Sequence, residues 1–327
     1  MAVILAADIG GTNSRFGLFD TDPGSEPRLL DSLSIPTASV ASLPELMRLV
    51  RDKGLDPALA EQVVLAVAGP VHDGVRCDLT NVSWSIDLSD PGTGLPRERT
   101  VLINDFVAQA LGCRTLHAAE SSLLIQDGVS RPGVVAAVGP GTGLGLCALV
   151  PLSKGRGDFL PLPSEGGHAP LAFTSKREFE FLRFLRERTG FSHAFGDIVV
   201  SGRGLSAMHL FLTGRDLSPA EVASEIGPHS ETAEWFARFL ARACRSYVLH
   251  VLAWGGLHLC GGIAAKNPFL AEHAEFLREF RDCPAYGSLL EQVPIRLVTA
   301  SDIGLRGAAS HGRAMMQKGE GSHIFVA

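Results

Sequence analysis

The first residues whose types and spacing could do chemistry are Asp8-Ile9-Gly10-Gly11-Thr12-Asn13, directly after an apolar run at 3–7. Residues 14–19 are typical of a second strand, so these glycines belong to a strand–turn–strand hairpin, whereas a dinucleotide fingerprint or P-loop leads into a helix. Such a turn presents backbone N–H groups and a Thr hydroxyl to an anion. Asp8 beside it can hold a hydrated Mg²⁺, which prefers oxygen ligands. An ordinary Gly-Gly hairpin with an incidental Asp explains the same residues.

A second polar pair, Asn104-Asp105, follows a predicted strand at 100–103 and opens a predicted helix at 106–111. The carboxyl ends of parallel strands are where open α/β sheets place their ligands. Asp105 can act there as a general base that takes a proton from a substrate hydroxyl, as an Asp often does in phosphoryl transfer. A side-chain cap at the start of the helix is the alternative interpretation.

Glu165-Gly166-Gly167-His168 puts a carboxylate and an imidazole three residues apart around two glycines. Glu accepts hydrogen bonds in pairs and His donates or accepts, which suits the hydroxyls of a sugar. A solvated loop with a single surface His is the alternative. A metal site is not expected, because no second His or Cys lies nearby in the sequence.

Two further glycine runs are suited to bind phosphate or a nucleotide. Residues 139–145 carry four glycines with Thr142 among them, between two predicted strands. Gly261 and Gly262 follow an apolar strand and precede a helix, where an adenine or ribose can pack on the backbone. Plain flexible or tight turns explain both runs nearly as well.

The predicted strands and turns that position these groups occur twice in the same order. The first third alternates strands and helices, which predicts a mostly parallel sheet. Residues 134–138, the glycine run and residues 146–152 then echo the opening order of strand, glycine turn with Thr, and strand. Two such modules predict a duplicated core with a cleft between its halves. We also predict a strand at 198–201, directly after Asp197.

Composition narrows the class of protein. The chain has 327 residues, 46% hydrophobic and 20% charged, with a formal net charge of −6. Its length fits two domains, and its charge favours no nucleic-acid partner and no membrane partner. Six scattered cysteines without a C-x-x-C pair argue against structural zinc and fit a reducing cytoplasm. The apolar run before Asp8 is too short for a signal peptide, and residues 247–265 read as a buried helix and strand.

Taken in order, these motifs resemble the bacterial glucokinase family, a hexose kinase branch of the actin-like (ribonuclease H-like) ATPase fold. The resemblance runs from about residue 3 to residue 313 and includes Thr80-Asn81-Val82-Ser83-Trp84. Each motif is weak alone, whereas their order and spacing together are specific. The resemblance implies ATP-dependent phosphorylation of glucose at its 6-hydroxyl, with ATP and Mg²⁺ as cofactors, in a cytoplasmic enzyme of glycolysis that forms a homodimer.

The resemblance also implies residue roles. Asp105 would be the catalytic base, and Asp8 would hold Mg²⁺ through water. The other implied groups fall into two sets. The sugar-binding residues would be Asn104, Asp105, Gly143, Glu165, His168 and Asp197. The nucleotide-binding residues would be Asp8, Gly10, Gly11, Thr12, Asn13, Thr142, Gly261 and Gly262.

Asp197 departs from the family pattern, which usually has Glu at this place before Ser-Gly. Because Asp is one methylene shorter, sugar affinity or epimer preference is open. The cysteine-rich zinc loop of the wider group is missing after His168, which favours the zinc-free branch. Arg15 on the second predicted strand can approach phosphate, although an ion pair between strands explains it better.

The resemblance implies a two-lobed α/β fold with an active-site cleft between the lobes. We place the small α/β lobe at 1–114 plus 305–327 and the large α/β lobe at 115–304. Alternative functions are a kinase for mannose, fructose or an N-acetylhexosamine, a non-catalytic sugar sensor of the related repressor group, and a chaperone-like or filament-forming ATPase. The Asp8 motif begins too early for a preceding helix-turn-helix, and the Glu165–His168 pair argues against the ATPase.

Overall fold

The computed structural model describes residues 2–22, 25–79, 82–129, 131–152 and 159–318. Thr80 and Asn81 of the motif set, and 319–327 of the expected small lobe, lie outside these ranges. The strands are β1 Ala2–Ile9, β2 Asn13–Thr21, β3 Arg28–Pro36, β4 Gln62–Val67, β5 Val71–His72, β6 Arg76–Asp78, β7 Ser85–Asp87, β8 Thr100–Asn104, β9 Ser122–Gln126, β10 Val135–Pro140, β11 Leu144–Pro151, β12 Phe159–Ser164, β13 Gly256–Leu259 and β14 Ile295–Val298.

The helices lie in groups between runs of strands. They are α1 Leu43–Asp52, α2 Asp105–Gly112, α3 Leu116–Glu120, α4 Lys176–Thr189, α5 Gly196–Val199, α6 Gly202–Thr213, α7 Pro219–Glu225, α8 Glu231–Val251, α9 Gly262–Lys266, α10 Phe269–Glu272, α11 Ala274–Arg281, α12 Gly287–Leu290 and α13 Ile303–Lys318. None of these helices is both long and apolar enough to cross a membrane within the described ranges.

The chain forms two compact units. The first contains the residues up to Glu120, residues 161–163 and the residues from Ala300 onward, and the second contains 121–160 and 164–299. The first unit has a sheet of order β3-β2-β1-β4-β8, and the second sheet has the order β12-β11-β10-β13-β14-β9. Strands β5, β6 and β7 form a small separate sheet.

The two large sheets share one plan. In the first, β1 pairs antiparallel with β2 and parallel with β4, which pairs parallel with β8. In the second, β10 pairs antiparallel with β11 and parallel with β13, which pairs parallel with β14. The predicted repeat of strand, glycine turn and strand is therefore confirmed.

The prediction of a mostly parallel sheet is wrong. The first sheet is mixed, because β2 pairs antiparallel with both β1 and β3. The glycine turn itself is the cause, since a short connection can join only antiparallel neighbours. Parallel pairing is confined to the strands that a helix or longer segment connects.

The predicted strand at 198–201 is also wrong. Residues Gly196–Val199 form the short helix α5, and all four are buried. Ile198, Val199 and Val200 have high strand propensity, but they pack into the main hydrophobic cluster of the second unit. Burial in that cluster decides the local structure here, since strand propensity depends strongly on its context.

The core of the first unit keeps α13 against α2 and the first sheet. A Cβ at Gly307 would lie 1.7 Å from the C=O of Ala108, and a Cβ at Gly112 would lie 1.9 Å from the C=O of Ile303. Only glycine permits so close an approach of two helix backbones. This packing places the start of α13 next to the carboxyl end of β1.

Candidate active site

The turn between β1 and β2 is held in one shape. Its ends are joined by the Gly10 N–H, which donates to the C=O of Asn13 at 3.1 Å. The buried Thr37 donates its N–H to the C=O of Thr12 at 3.0 Å and its Oγ1–H to the C=O of Gly10 at 2.7 Å. The N–H groups of Gly11 and Thr12 have no protein acceptor among the described residues. The turn thus fixes its carbonyls to the protein and keeps amide donors for an anion.

Asp8 lies next to this turn, near the end of β1. Its carboxyl group is half-buried, and a Cβ at Gly304 would come within 2.8 Å of its Oδ2. Burial raises the pKa of Asp8, and the positive charge of Arg15 on the paired strand offsets this rise only in part. The Arg15 Nη1–H donates to the C=O of Ser301 at 2.7 Å. A carboxylate that has lost solvent without full compensation gains from a nearby cation.

Asn104 and Asp105 come to the same sheet edge as Asp8. In the parallel register Ile9 lies beside Val67, and Val67 lies beside Asn104. Two steps between strands correspond to roughly 10 Å. The glycine turn and the Asn104-Asp105 pair therefore sit at neighbouring positions on one edge of the first sheet.

Asn104, and not Asp105, caps helix α2. The Asn104 Oδ1 accepts hydrogen bonds from the N–H groups of Phe106 at 2.9 Å and Val107 at 3.3 Å, and its Nδ2 donates to the C=O of Gly69 at 3.2 Å. The interpretation of Asp105 as a capping residue is wrong, since its neighbour already serves the helix N-terminus. Asp105 is the first residue of α2 and is half-buried.

The small sheet supplies the surroundings of this pair. A Cβ at Gly69 would lie 2.5 Å from the C=O of Asp78 and 3.0 Å from the Cys77 Sγ. Burial, followed by the charges of Asp78 and Asp105, raises the pKa of Cys77 to about 11. The thiol is therefore protonated at neutral pH and adds no charge near Asp105.

In the second unit, the glycine-rich turn between β10 and β11 contacts Asp197. The Asp197 Oδ1 accepts a hydrogen bond from the Leu144 N–H at 2.8 Å, and its Oδ2 pairs with Arg203. A Cβ at Gly143 would lie 2.0 Å from Oδ1, so only glycine fits above this carboxylate. The structure thus brings Gly143 and Asp197 together, while Thr142 at the tip of the turn is exposed.

The Glu165–His168 turn packs against the same strand. The His168 N–H donates to the C=O of Glu165 at 2.9 Å, and the His168 Nε2 lies 4.0 Å from the Glu165 Oε2. A Cβ at Gly167 would lie 2.2 Å from the C=O of Leu144. Both polar side chains are well exposed, although the backbone beneath them is tightly packed. This arrangement differs from that of a loosely held surface loop.

Gly261 follows β13 with a φ of +84°, in the region that favours glycine. A Cβ there would lie 2.7 Å from the C=O of Pro140 and 3.1 Å from the Cα of Gly139. The Gly261-Gly262 corner therefore adjoins the start of the glycine-rich turn. Gly262, the first residue of α9, has open space around its Cα.

Comparison with known proteins decides the family. Residues 5–315 match the family model for Glucokinase. Glucokinases from Brucella suis biovar 1 (strain 1330) and Sinorhizobium medicae (strain WSM419) are 31% and 33% identical to this chain, with 95% of this chain and 91% and 92% of those proteins covered. The chain belongs to the glucokinase family.

Solved structures agree with this family. A glucokinase from an Antarctic psychrotroph superimposes with a TM-score of 0.81 at 28% identity, covering 96% of this chain and 99% of that one. A Streptomyces griseus ROK family glucokinase, solved with glucose and AMPPNP, gives 0.58 at 18% identity over 96% and 100% of the chains and supports the fold. The resemblance seen in the motifs, the actin-like fold class and the enzyme class of ATP-dependent glucose kinases are confirmed.

The donor set near Asp8 fits a hydrated Mg²⁺. Among the described residues, no three His, Cys, Asp or Glu side chains cluster as metal ligands. Mg²⁺ keeps most of its water and commonly needs only one or two carboxylates together with substrate phosphates. The desolvated Asp8 carboxylate, beside a turn whose Gly11 and Thr12 N–H groups have no protein acceptor among the described residues, meets that requirement.

Two residues with a part in these sites escaped the sequence analysis. Thr37 hydrogen-bonds to the turn between β1 and β2, 27 residues away from Gly10 in the sequence. Arg203 pairs with Asp197. Neither belongs to a recognisable motif. Arg203 carries one usable signal, its position six residues after a predicted sugar-binding carboxylate.

Proposed function

We propose that this chain transfers the γ-phosphoryl group of ATP to the 6-hydroxyl of glucose with Asp105 as general base. The observation that carries the proposal is the shared edge of the first sheet, where the Asp8 turn follows β1 and Asn104-Asp105 ends β8, with the parallel strand β4 between them. The capping role of Asn104 supports it further, because the N–H groups of Phe106 and Val107 bond to Asn104 and not to the Asp105 carboxylate. A phosphate site and a base at one edge suit phosphoryl transfer.

In the proposed reaction, the Asp105 carboxylate accepts the proton of the 6-hydroxyl as the oxygen attacks the γ-phosphorus. The new bond forms between that oxygen and phosphorus while the bond to the β-phosphate oxygen breaks, so the products are glucose 6-phosphate and ADP. Asp105 later releases its proton to solvent. Positioning and charge stabilisation supply most of the catalysis in such transfers.

The phosphates of ATP would be held by the donors of both glycine turns. Gly10, Gly11, Thr12 and Asn13 supply the first set, and Thr142 adds a hydroxyl from the second. Mg²⁺, held by Asp8 through water, would neutralise charge on the phosphates. Gly261 and Gly262 would lie at the adenosine, and the open space at Gly262 would leave room for it.

Glucose would be held by the polar groups that the resemblance implies. Asn104 keeps one of its two Nδ2–H donors after its bond to Gly69, and Glu165 and His168 present exposed polar side chains. Gly143 and Asp197 would border the same sugar. We infer that the two lobes, at 1–114 plus 305–327 and at 115–304, close on glucose and exclude water that would otherwise accept the phosphoryl group.

A homodimer in the cytoplasm is part of the proposal and is supported by the family resemblance and by the cysteine usage.

The second candidate function is a kinase for another hexose. Asp197 supports this candidate, because its side chain is shorter than that of the usual Glu and its carboxylate already bonds to Leu144 and Arg203.

A hexose panel tests the proposed function. The purified protein is incubated with ATP and glucose, mannose, fructose or N-acetylglucosamine, with Mg²⁺ or with EDTA, and products are identified by ³¹P NMR. We expect Mg²⁺-dependent glucose 6-phosphate as the fastest product. Faster phosphorylation of another hexose would favour the second candidate, and sugar-independent ATP turnover would contradict both.

A further inference from the structure

Asp197 is held by an arginine that no motif accounts for. Arg203 lies in the first turn of α6, and its Nη2 pairs with the Asp197 Oδ2. The other oxygen, Oδ1, accepts the Leu144 N–H at 2.8 Å. The Asp197 side chain is 12% exposed whereas Arg203 is 58% exposed. The arginine thus approaches a nearly buried carboxylate from the solvent side.

The backbone around this pair leaves little freedom. The Gly202 N–H donates to the C=O of Gly141 at 2.9 Å, which ties the start of α6 to the glycine-rich turn. A Cβ at Gly204 would lie 2.1 Å from the C=O of Val199, so α5 and α6 also pack closely. Because these segments are fixed, the remaining freedom lies in the side-chain torsions of Asp197.

We propose that Arg203 is a positioning residue that fixes the orientation of the Asp197 carboxylate for sugar binding. This inference rests on the proposed role of Asp197 in holding the substrate sugar. A carboxylate has about four acceptor positions, and Leu144 and Arg203 occupy one on each oxygen. The remaining positions can accept sugar hydroxyls only in the orientation that the two protein bonds set.

The pair also explains how a short carboxylate can serve this place. Asp has one rotatable bond fewer than Glu, and Arg203 fixes its carboxylate further. Less side-chain freedom is therefore lost when the sugar binds. Arg203 is 58% exposed, so water can take its place at the Asp197 Oδ2, and its removal should cost less folding stability than the removal of a fully buried partner. Its loss should therefore be felt in sugar binding and hardly in folding.

The test is steady-state kinetics of Arg203→Met and Arg203→Lys with glucose and MgATP. We expect Arg203→Met to raise KM for glucose about tenfold, the scale of one hydrogen bond to a charged group. The kcat, KM for ATP and Tm should stay near the wild-type values, and Arg203→Lys should restore part of the glucose affinity. Arg188→Met is the matched control, since Arg188 is similarly exposed, at 49%, and pairs with Asp216 instead.

A double-mutant cycle separates positioning from general effects. In an Asp197→Asn background, Arg203→Met should cause little further change in KM for glucose. An unchanged KM in Arg203→Met, an equal effect of Arg188→Met, or a drop in Tm with parallel losses in kcat would overturn the inference. Wild-type protein that phosphorylates no hexose in the same assay would instead contradict the proposed function.

Discussion

At the scale of single residues, Asp8 shows how a site can work against stability. Burial raises the pKa of its carboxyl group, and Arg15 offsets the rise only in part. A raised pKa in the folded state means that stability is lost as the pH rises through that pKa. Ionisation of Asp8 is therefore unfavourable in the ligand-free protein, and a bound cation would favour the ionised form.

We predict that Asp8→Asn makes the ligand-free protein more stable at pH 8 while lowering its kinase activity about 100-fold, through loss of the carboxylate that we propose holds Mg²⁺. The Tm difference between variant and wild type should shrink as the pH is lowered, because protonated Asp8 carries no charge. Thermal unfolding from pH 5 to pH 8 and initial rates with MgATP measure the two effects.

Asp20→Asn is the matched control on the neighbouring strand. A side-chain hydrogen bond from Arg28 lowers the pKa of Asp20, and the Arg28 Nη2 lies 2.6 Å from its Oδ2. The pKa shift of Asp20 is opposite in direction to that of Asp8, so Asp20→Asn should lower Tm at neutral pH. A lower Tm for Asp8→Asn at pH 8 would contradict the account of Asp8.

At the scale of elements, the register of three parallel strands brings Asp8 and Asn104-Asp105 to one edge. The sequence predicts this, because both motifs directly follow apolar strand-like runs. The Thr37 bonds to the first glycine turn and the Arg203–Asp197 pair could not be predicted, since both depend on tertiary contacts between segments with no shared motif. The helix α5 was missed for a related reason, as packing outweighs the strand propensity of Ile198 and Val199.

Three helices of the second unit are joined by a buried arginine. Arg242 on α8 donates to Glu178 on α4 at 2.7 and 2.9 Å and to Glu279 on α11 at 2.9 and 3.2 Å. It also donates to the C=O of Ala172 and to the Thr174 Oγ1, both at 3.1 Å. The Arg242 and Glu178 side chains are each 3% exposed. The cluster is thus a fully hydrogen-bonded charge network in the core.

We predict that Arg242→Met destabilises the protein by about 3–5 kcal/mol, because it leaves the buried Glu178 carboxylate without a charged partner and leaves Glu279 with Arg245 alone. Arg238→Met on the same helix is the control. Arg238 is 25% exposed and pairs with Glu234 and Glu275, so its loss should cost at most about 1 kcal/mol. Urea unfolding of both variants measures the difference.

The Arg242 cluster also predicts how the stability difference between Arg242→Met and the wild type depends on pH. Burial alone would raise the pKa of Glu178, but hydrogen bonds from Arg242 and Thr174 outweigh burial and hold the pKa below its usual value. The wild type should lose this stabilisation as the pH falls towards that low pKa. In Arg242→Met only the Thr174 hydrogen bonds oppose burial, so the pKa of Glu178 should be higher than in the wild type and acidification should narrow the stability gap between them. A gap that widens towards pH 5 would argue against the network.

At the scale of the whole molecule, each unit repeats one plan and carries its own set of predicted site residues. The first unit holds the Asp8 turn and Asp105, and the second holds the Gly143–Asp197 contact and the Glu165–His168 turn. The repeat was predictable from the two glycine runs, each flanked by strands. The mixed pairing of the sheets was not, because the period of a strand does not reveal the direction of its neighbours.

The central claim is that this member of the glucokinase family uses Asp105 as the base for phosphoryl transfer to glucose. The most direct measurement compares turnover of Asp105→Asn with the wild type at saturating glucose and MgATP, together with glucose affinity by calorimetry. Asp52→Asn, at the exposed end of α1, is the control and should retain full activity. We predict that Asp105→Asn folds, binds glucose with near-normal affinity and loses about 10²–10⁴-fold in kcat. Near-normal turnover of Asp105→Asn would contradict the claim.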